Sequence, residues 1–442
     1  MLLPITSGTN KENHLEINGI DFSFLVKKYG TPVYVYDIET IRHQCKEYIE
    51  NFDFKDVEVT IIYASKAFSC IPMYQLAGEE GLSVDVSTGG ELFVALESGF
   101  EQEKIYFHGN NKSREEIEFG VKNKVGCFVV DNFEELNYLN GIAKKYSVKQ
   151  NIMLRITPGI HASTHEFIQT GKEKSKFGFG LTGGIALEAV KEALSKPNLR
   201  LMGIHSHIGS QIFNIEPYDK LVGVQMKFLA EVKKTLGMEL GWINIGGGLG
   251  VKYLESDKPA SIKDFAGLIG NAIKTYSAKY NVKISKLMLE PGRSIVGNAG
   301  ISIYEVGVVK EIPGVHNYIA VDGGMSDNIR PVLYGAVYTP FIVNRISDSE
   351  EKNDKTEWKK YTIVGKHCES GDILIEDAYL PEIKPGDFIA LATAGAYCYS
   401  MSSNYNGQTR PAIVAVEDGR DYVWIKRETY KDLVKGHGKL HE

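Results

Sequence analysis

A lysine stands where a buried strand is predicted to end, within the run Tyr-Ala-Ser-Lys-Ala at 63–67. Partial desolvation at such a place favours the neutral amine, which can then form a Schiff base with a carbonyl compound. Most lysines that follow strands are simply solvated. Lys66 is therefore a candidate nucleophile whose assignment depends on the residues around it.

A second motif is glycine-rich, Gly-Gly-Gly-Leu-Gly at 246–250, and follows the seventh strand of the predicted series. Glycines let backbone N–H groups close around a phosphate, and (β/α)8 barrels commonly hold phosphate in the loops after strands seven and eight. Tight turns also need glycine, so a purely structural interpretation stays open.

The third motif, Glu-Pro-Gly-Arg at 290–293, follows the eighth strand. There Glu290 would face the mouth of a barrel opposite Lys66. Pyridoxal phosphate needs an acidic partner for its pyridine nitrogen if it is to act as a full electron sink. The alternative is a salt bridge between Glu290 and Arg293 within the turn.

The fourth motif is His-Cys-Glu-Ser-Gly-Asp at 367–372. A cysteine flanked by acids suits a thiol that donates a proton better than one that acts as a nucleophile. The alternative for Cys368 is a buried structural cysteine, which is the commoner fate of this residue type.

Together the four motifs supply an amine, a phosphate cradle, an acid for a ring nitrogen and a proton donor. This set matches pyridoxal-phosphate chemistry. A zinc site is disfavoured because no ligands have the required spacing. A dinucleotide site is disfavoured because the glycines come late and lack the expected acidic residue on a following strand.

From about residue 57 to 292, short β-branched runs alternate with longer amphipathic stretches, and these elements must position the residues above. The alternation predicts an α/β fold, and the count of eight strands predicts a (β/α)8 TIM barrel. An open doubly wound sheet would also alternate, but polar residues at the ends of the strands favour the barrel. The predicted strands are Val57–Ala64, Leu82–Val86, Lys104–Phe107, Cys127–Asp131, Asn151–Ile156, Arg200–His205, Trp242–Ile245 and Lys286–Leu289. The predicted helices are one around Ile71–Ala77 and then Gly90–Ser98, Ser113–Val125, Asn132–Tyr146, Ile185–Ser195, Glu216–Leu236 and Ser261–Tyr280, with capping boxes at Ser113/Glu116 and Asn132/Glu135.

After about residue 300 strand-like runs follow one another with little helix, which predicts a separate all-β domain. Its predicted strands are Ile301–Lys310, Tyr318–Val321, Tyr361–Val364, Asp372–Glu376, Phe388–Ala392, Ala412–Val416 and Tyr422–Lys426. The polar run Ser347–Lys360 is interpreted as a solvated insertion.

Composition excludes several classes of protein. The net charge of −6 over 442 residues, without a basic stripe, disfavours nucleic acid as a partner. No run approaches the length needed to cross a bilayer, and we expect neither a membrane association nor a signal peptide. Five widely spaced cysteines favour reduced thiols in a cytoplasmic protein.

The ordered motifs resemble those of the alanine-racemase-like (fold-type III) pyridoxal-phosphate enzymes, and specifically of the diaminopimelate decarboxylase family. The resemblance runs from about residue 20 to the end of the chain. Besides the four motifs above, it rests on Asp-Val-Ser-Thr-Gly-Gly-Glu-Leu (85–92), Ser-Lys-Phe-Gly (175–178), His-Ile-Gly-Ser-Gln (207–211), Asp-Gly-Gly-Met-Ser-Asp (322–327), Ile-Arg-Pro-Val-Leu-Tyr-Gly-Ala (329–336), Gly-Ala-Tyr (395–397) and Met-Ser-Ser-Asn-Tyr-Asn (401–406).

The resemblance implies a role for each matching residue. Lys66 would bind pyridoxal 5'-phosphate covalently, His207 would stack on its ring, and Cys368 would donate the proton. The residues implied to hold the cofactor are Lys66, His207, Ser210, Gly246, Gly247, Gly248, Glu290, Pro291, Gly292, Arg293 and Tyr397. Those implied to hold the substrate are Arg293, Arg330, Tyr334, Glu369 and Tyr397. No metal is implied.

The resemblance further implies that residues 38–292 form the cofactor-binding barrel and that residues 1–37 and 293–442 form the β domain. It implies a homodimer in which Cys368 reaches the site of the other subunit. The implied reaction is decarboxylation of meso-2,6-diaminopimelate to L-lysine and CO2, the last step of lysine biosynthesis. Paired arginines suit a distal carboxylate and have no use in a diamine-producing decarboxylase, which favours diaminopimelate over ornithine, arginine or carboxynorspermidine.

Two alternatives stay open: an enzyme of the same fold that acts on ornithine, arginine or carboxynorspermidine, and a catalytically silent homologue. A silent homologue that binds partners or buffers the cofactor would be expected to lose the lysine, the cysteine or the glycine loop, and all three are present. The chain also departs from the usual family pattern, which has small or apolar residues before the cysteine motif, because Lys366 and His367 stand there. His367 either modulates the Cys368 thiol or faces solvent, and we take the second interpretation.

Overall fold

The fold was analysed in a computed structural model that describes residues 2–160, 175–345 and 358–440. The chain divides into two compact units. One, the barrel unit, comprises residues 43–251 and 258–295, and the other, the sheet unit, comprises residues 1–42, 252–257 and 296–442. Most of the predicted insertion Ser347–Lys360 lies outside the described residues. No helix of the described ranges is long and apolar enough to cross a membrane.

Eight parallel strands close into a barrel in the barrel unit, because the eighth strand pairs with the first, with Leu287 opposite Val59. The strands, numbered here in chain order as barrel strands one to eight, are Glu58–Ala64, Ser83–Val86, Ile105–Phe107, Cys127–Val130, Gln150–Thr157, Leu199–His205, Trp242–Asn244 and Lys286–Leu289. Each of the eight predicted strands is present with its ends within about one residue, and the predicted α/β barrel is confirmed. Parallel strands are covered on both faces, which is why they appear in the sequence as short apolar runs.

The barrel interior is filled by side chains contributed by several strands, as expected of a packed TIM barrel. A buried cluster inside it consists of Ile62, Tyr106, Cys127, Val129, Met153 and Met288. The interior of the barrel is therefore packed with side chains and is not an open channel.

Helices follow the barrel strands at the predicted places. They are Ile71–Glu79, Gly89–Glu97, Arg114–Lys122, Phe133–Lys145, Ile185–Ser195, Glu216–Leu236 and Ile262–Tyr280, with Ile38–Asn51 before the first strand and Arg293–Val296 after the last. The capping box of Ser113 and Glu116 is confirmed. That of Asn132 and Glu135 is only half right: Asn132 accepts from the Glu135 N–H, but Glu135 accepts from the Asp131 N–H and pairs with the buried Lys112.

The sheet unit is built mainly of antiparallel strands, and the predicted separate all-β fold is confirmed. Its strands are Ser7–Thr9, Leu15–Ile17, Ile20–Asp21, Val33–Asp37, Gly300–Ile312, His316–Val321, Pro340–Ile342, Lys359–Val364, Ile373–Leu380, Phe388–Leu391, Ala412–Glu417 and Arg420–Ile425; its helices include Phe22–Tyr29, Arg330–Tyr334 and Tyr430–Val434. The long strand Gly300–Ile312 organises this unit: its first half pairs with Val33–Asp37 and Phe388–Leu391, and its second half with His316–Val321.

Candidate active site

The turn that carries Lys66 is fixed at the carboxyl end of barrel strand one. The N–H of Ser65 donates to Oδ1 of Asp85 at 3.0 Å, and the N–H of Ala64 donates to the carbonyl of Pro291 at 3.0 Å. The turn is thus tied to the second and the eighth strands, while the Lys66 side chain itself is exposed. This places an amine on a rigid backbone at the face where barrel enzymes carry out their chemistry.

Charges converge on this face. Burial, followed by the negative charge of Glu290, raises the pKa of Asp85 well above its usual value, and the ammonium of Lys66 acts in the opposite direction. Burial, together with Lys66 and Arg155, lowers the pKa of His207 well below its usual value. His207 is therefore neutral near pH 7, which suits a ring that stacks on another ring. Lys66, His207 and Glu290 thus share one electrostatic environment.

The glycine loop after barrel strand seven can accommodate no side chains. Gly246 has a φ of +70°, and a Cβ there would lie 2.7 Å from Nδ1 of His207. A Cβ on Gly247 would overlap the carbonyl oxygen of Glu290, and one on Gly248 that of Gly209. Because these glycines carry no side chains, an anion can approach the backbone of the loop closely.

Further contacts link this loop to its neighbours. The N–H of Ile212 donates to the carbonyl of Gly248 at 2.9 Å, and the hydroxyl of Tyr218 donates to the carbonyl of Gly247 at 2.8 Å. Arg293 donates through Nη2 to the hydroxyl of Ser210 at 3.1 Å. A hydroxyl and a guanidinium therefore stand with the glycine loop, as a phosphate site requires.

Glu290 is buried and surrounded by donors. Nε2 of His108 lies 2.9 Å from its Oε1, Nδ2 of Asn244 donates to Oε1 at 2.7 Å, and Nε2 of His205 lies 3.1 Å from Oε2. The proximity of both histidines holds the pKa of Glu290 well below its usual value against the opposing effect of burial. An ionised carboxylate here is the partner that a pyridine nitrogen needs, and with the amine and the glycine cradle it fits pyridoxal phosphate.

His108, His205 and Asn244 were not assigned a role from the sequence. Both histidines stand at strand ends that the sequence identified, but sequence spacing gives no indication that they contact Glu290. Asn244 stands two residues before the glycine loop, which is the signal that could have drawn attention to it.

The remaining predicted residues belong to the sheet unit. Arg330 is buried at the start of the helix Arg330–Tyr334, and its guanidinium lies between the rings of Tyr253, Tyr334 and Tyr397, whose centroids are 5.8, 5.6 and 6.0 Å away. Tyr397 is held at a φ of +62°. Arg330, Tyr334 and Tyr397, which were predicted from two separate motifs, therefore form one cluster.

Cys368 and Glu369 are exposed on a turn that Asp372 organises. Asp372 accepts from the N–H of His367 at 2.9 Å and from that of Met325 at 2.6 Å, and the N–H of Cys368 donates to Oδ1 of Asn406 at 3.1 Å. Cys368 is not a buried structural cysteine, which removes that alternative.

The prediction that His367 faces solvent is wrong. Its side chain is buried, Nε2 lies 2.8 Å from Oγ of Ser326, and the ring packs against Tyr405 with centroids 5.4 Å apart. Because its N–H is bonded to Asp372, the histidine turns inward while Cys368 next to it turns outward. His367 therefore anchors the turn that presents the thiol.

Comparisons with known proteins agree with this geometry. Residues 38–297 match the family model of the pyridoxal-dependent decarboxylases' pyridoxal-binding domain. The chain is 47% identical to a diaminopimelate decarboxylase of Bacillus subtilis, covering 98% of both chains, and 42% identical to one of Staphylococcus aureus, covering 96% of this chain and 98% of the other. A crystal structure of diaminopimelate decarboxylase from M. jannaschii in complex with L-lysine superposes with a TM-score of 0.92 at 35% identity over 100% of both chains. An exposed lysine, a glycine-rich loop and a buried glutamate lie on one barrel face, and the chain is similar to these enzymes over its whole length. The chain therefore belongs to the diaminopimelate decarboxylase family of pyridoxal-phosphate-dependent enzymes.

Proposed function

We propose that this protein decarboxylates meso-2,6-diaminopimelate to L-lysine and CO2, the last step of lysine biosynthesis, with pyridoxal phosphate as cofactor. The observation that carries the proposal is the 47% identity with the B. subtilis enzyme over 98% of both chains, in a chain that keeps Lys66 and Glu290 at the same end of the barrel. The relative from M. jannaschii was crystallised with L-lysine, which is the product of the proposed reaction.

Bound pyridoxal phosphate supplies an electron sink for the electron pair left on carbon when CO2 departs. In this proposal Lys66 binds the cofactor through its amine and is displaced by the amine of the substrate. His207 stacks on the cofactor ring, and Glu290 bonds the ring nitrogen. Ser210, Arg293 and the N–H groups of the loop hold the phosphate, and the residues that complete this set are Gly246, Gly247, Gly248, Pro291, Gly292 and Tyr397.

Charge complementarity supports the assignment of the substrate's distal end. A carboxylate there pairs with Arg293 and Arg330, with Tyr334 beside them, because a guanidinium fork binds a carboxylate through two hydrogen bonds. Glu369 takes the distal ammonium, and Tyr397 contacts both substrate and cofactor. Cys368 donates a proton to the carbon that has lost CO2, in keeping with its exposed thiol.

We further propose that residues 38–292 are the cofactor-binding domain and that residues 1–37 and 293–442 form the second domain. The family match over residues 38–297 supports the first of these boundaries. The protein acts as a cytoplasmic homodimer in which Cys368 serves the site of the other subunit. All five cysteines lie in described residues and none of them forms a disulfide, which suits a reducing compartment.

The experiment that tests the function is release of CO2 and L-lysine from meso-diaminopimelate by purified protein with added pyridoxal phosphate. L-ornithine and L-arginine are run beside it. Lysine from diaminopimelate, with no CO2 from the other two, is the expected result. CO2 from ornithine or arginine at comparable rates would contradict the proposed substrate, and no CO2 from any substrate with cofactor bound would contradict the proposed activity.

A further inference from the structure

Glu290 is held from two sides by buried histidines. His108 follows barrel strand three and His205 ends barrel strand six, and their rings meet edge to face with centroids 4.9 Å apart. The side chains of His108, His205 and Glu290 are 8%, 1% and 7% exposed. Each histidine has its Nε2 at hydrogen-bond distance from a different carboxylate oxygen. The carboxylate is therefore fixed in one orientation by groups from two other strands.

The orientation of Asn244 determines which of these atoms donate. Oδ1 of Asn244 accepts from the N–H of Gly246 at 2.8 Å, so its amide nitrogen is the atom directed at Glu290. Oε1 of Glu290 must therefore accept. The N–H of Glu290 in turn donates to the carbonyl of Gly246 at 2.9 Å, so the carboxylate and the glycine loop are joined by side-chain and backbone bonds.

The two imidazoles are neutral donors. Burial lowers the pKa of both, and that of His205 to about 4, so each ring carries a single proton near pH 7. An ionised carboxylate can only accept, which puts that proton on Nε2 of His205, the ring nitrogen that is hydrogen-bonded to Glu290. Nδ1 of His205 is buried and has no hydrogen-bond partner among the described residues, as expected of the ring nitrogen without the proton.

A carboxylate that is hydrogen-bonded to Asn244 and His205, with Nε2 of His108 2.9 Å away, is a weak base, because nearby donors stabilise the charged form. If such a carboxylate faces a pyridine nitrogen, the proton between them stays on the nitrogen. The cofactor is a stronger electron sink when its ring nitrogen is protonated. The histidines would thus act on the cofactor through Glu290 without touching it.

We propose that His108 and His205 are positioning residues that, together with Asn244, keep Glu290 ionised and fixed so that the ring nitrogen of bound pyridoxal phosphate retains its proton. This proposal rests on the proposed function in one respect, which is that Glu290 faces the ring nitrogen of the cofactor.

Other charges act on the same three side chains. Glu290 interacts with Asp85 of barrel strand two and with His207 after barrel strand six. Arg155 of barrel strand five acts on both histidines, and Lys112 acts on His108. These charges remain in every variant below, so a difference between the variants reports on the histidines.

The test compares His205→Leu with His205→Gln, and His108→Leu with His108→Gln. Glutamine keeps an N–H donor that cannot titrate, and leucine keeps only bulk. Two readouts are independent of turnover: the affinity of the cofactor-free protein for pyridoxal phosphate, by fluorescence titration, and the protonation of the ring nitrogen, by ¹⁵N NMR with labelled cofactor from about pH 7 to about pH 9. The exposed His43 on the helix Ile38–Asn51 gives the control His43→Gln.

Each leucine variant is expected to bind the cofactor about tenfold more weakly, since Glu290 then lacks one of the groups that fix its carboxylate. Its ring nitrogen is expected to lose its proton within the pH range in which the wild type keeps it. The glutamine variants should approach the wild type in both readouts. The leucine variants should also have a lower kcat than the wild type. Their circular dichroism spectra should match that of the wild type, which shows that they fold.

Three results would overturn the proposal. The ring nitrogen could titrate identically in wild type and leucine variants. The glutamine variants could behave like the leucine variants, which would indicate a packing role for the rings. Finally, His108, His205 and Glu290 each offer one possible metal-ligand atom, and these three atoms lie within 4.8 Å of one another. If EDTA abolished the cofactor affinity of the wild type and Zn²⁺ restored it, the three side chains would form a metal site instead. Failure of the proposed function is a separate result: protein that binds the cofactor with a protonated ring nitrogen but releases no CO2.

Discussion

Nε of Arg330 donates a hydrogen bond to the hydroxyl of Tyr338 at 2.8 Å, and that hydroxyl also lies 3.3 Å from Sγ of Cys398. Tyr338 is fully buried, and burial, with the nearby Cys398, raises its pKa well above its usual value, so the phenol stays neutral. The bond uses Nε of Arg330, and the two terminal nitrogens of the guanidinium are the atoms that can bind a carboxylate through two hydrogen bonds. Tyr338 therefore orients the residue proposed to recognise the substrate's distal end.

The substitution Tyr338→Phe is expected to raise KM for meso-diaminopimelate about tenfold while kcat changes little. The lost bond to a charged donor corresponds to about 1.5 kcal/mol, and it orients substrate rather than the reacting atoms. Steady-state kinetics measure the change, with Cys398→Ala as the control expected to stay within about twofold of the wild type. A KM unchanged in Tyr338→Phe would show that Arg330 needs no such support.

Replacing Lys66 by Ala should abolish the absorbance band of the covalently bound cofactor. The exposed Lys104, which pairs with Glu101, provides the matched control Lys104→Ala, which should keep the band. The absorption spectrum of protein incubated with pyridoxal phosphate and then dialysed distinguishes the two. A wild-type spectrum in Lys66→Ala would refute its role.

Cys368 is the exposed cysteine of this chain, and the other four are buried. Burial raises the pKa of Cys70 and of Cys127 to about 12, so those thiols stay protonated and unreactive near pH 7. Iodoacetamide should therefore label Cys368 first and inactivate the protein. The variant Cys368→Ala should turn over about a hundredfold more slowly, the low end for loss of a general acid, and should bind the cofactor normally. Full activity in that variant would rule the thiol out as the proton donor.

The barrel was predictable because its signal is local. Each strand is a buried apolar run of a few residues and each helix a longer amphipathic one, so both are visible in a short window of sequence. The strands Ser7–Thr9, Leu15–Ile17 and Ile20–Asp21 were missed because two or three residues are too few to show a period of two. Val33–Asp37 is buried on both faces and shows no alternation.

The location of Lys66, Glu290 and the glycine loop at one end of the barrel was predictable, because each directly follows a strand that is visible in the sequence. Contacts between strands distant in sequence were not predictable. His205 reaches Glu290 across 85 positions of sequence, and which face of barrel strand six it occupies depends on a bulge between Leu201 and Gly203. His367 shows the same limit, because its burial follows from bonds to Ser326 and Asp372, and local sequence does not indicate either bond.

Gly247 tests the close packing of the loop after barrel strand seven. Gly247→Ala would push a methyl group into the carbonyl of Glu290, and overpacking of this kind costs about 1–3 kcal/mol. Both the melting temperature and the affinity for pyridoxal phosphate should fall. The control is Gly267→Ala, at an exposed position of the helix Ile262–Tyr280 with open space around it, which should raise stability by about 0.5–1 kcal/mol. Normal cofactor affinity in Gly247→Ala would contradict the proposed role of the loop.

Asp327 is expected to make the sheet unit less stable as pH rises. Its carboxyl is buried, and burial raises its pKa from 3.8 to about 7. Between these two values the folded state holds a proton that the unfolded chain has lost, so the free energy of unfolding decreases with increasing pH across this window.

The substitution Asp327→Asn removes that titration and keeps an oxygen to accept from the Gly324 N–H, a bond of 3.0 Å in the wild type. From pH 5 to pH 8 the wild type should lose about 2.7 kcal/mol more than the variant, since about two pH units separate pH 5 from the folded-state pKa and each corresponds to about 1.4 kcal/mol. Urea unfolding at the two pH values measures this difference, with Asp377→Asn, at an exposed position already at a φ of +58°, as the control that should behave like the wild type. An equal loss in wild type and Asp327→Asn would mean that Asp327 is ionised in the folded protein throughout this range.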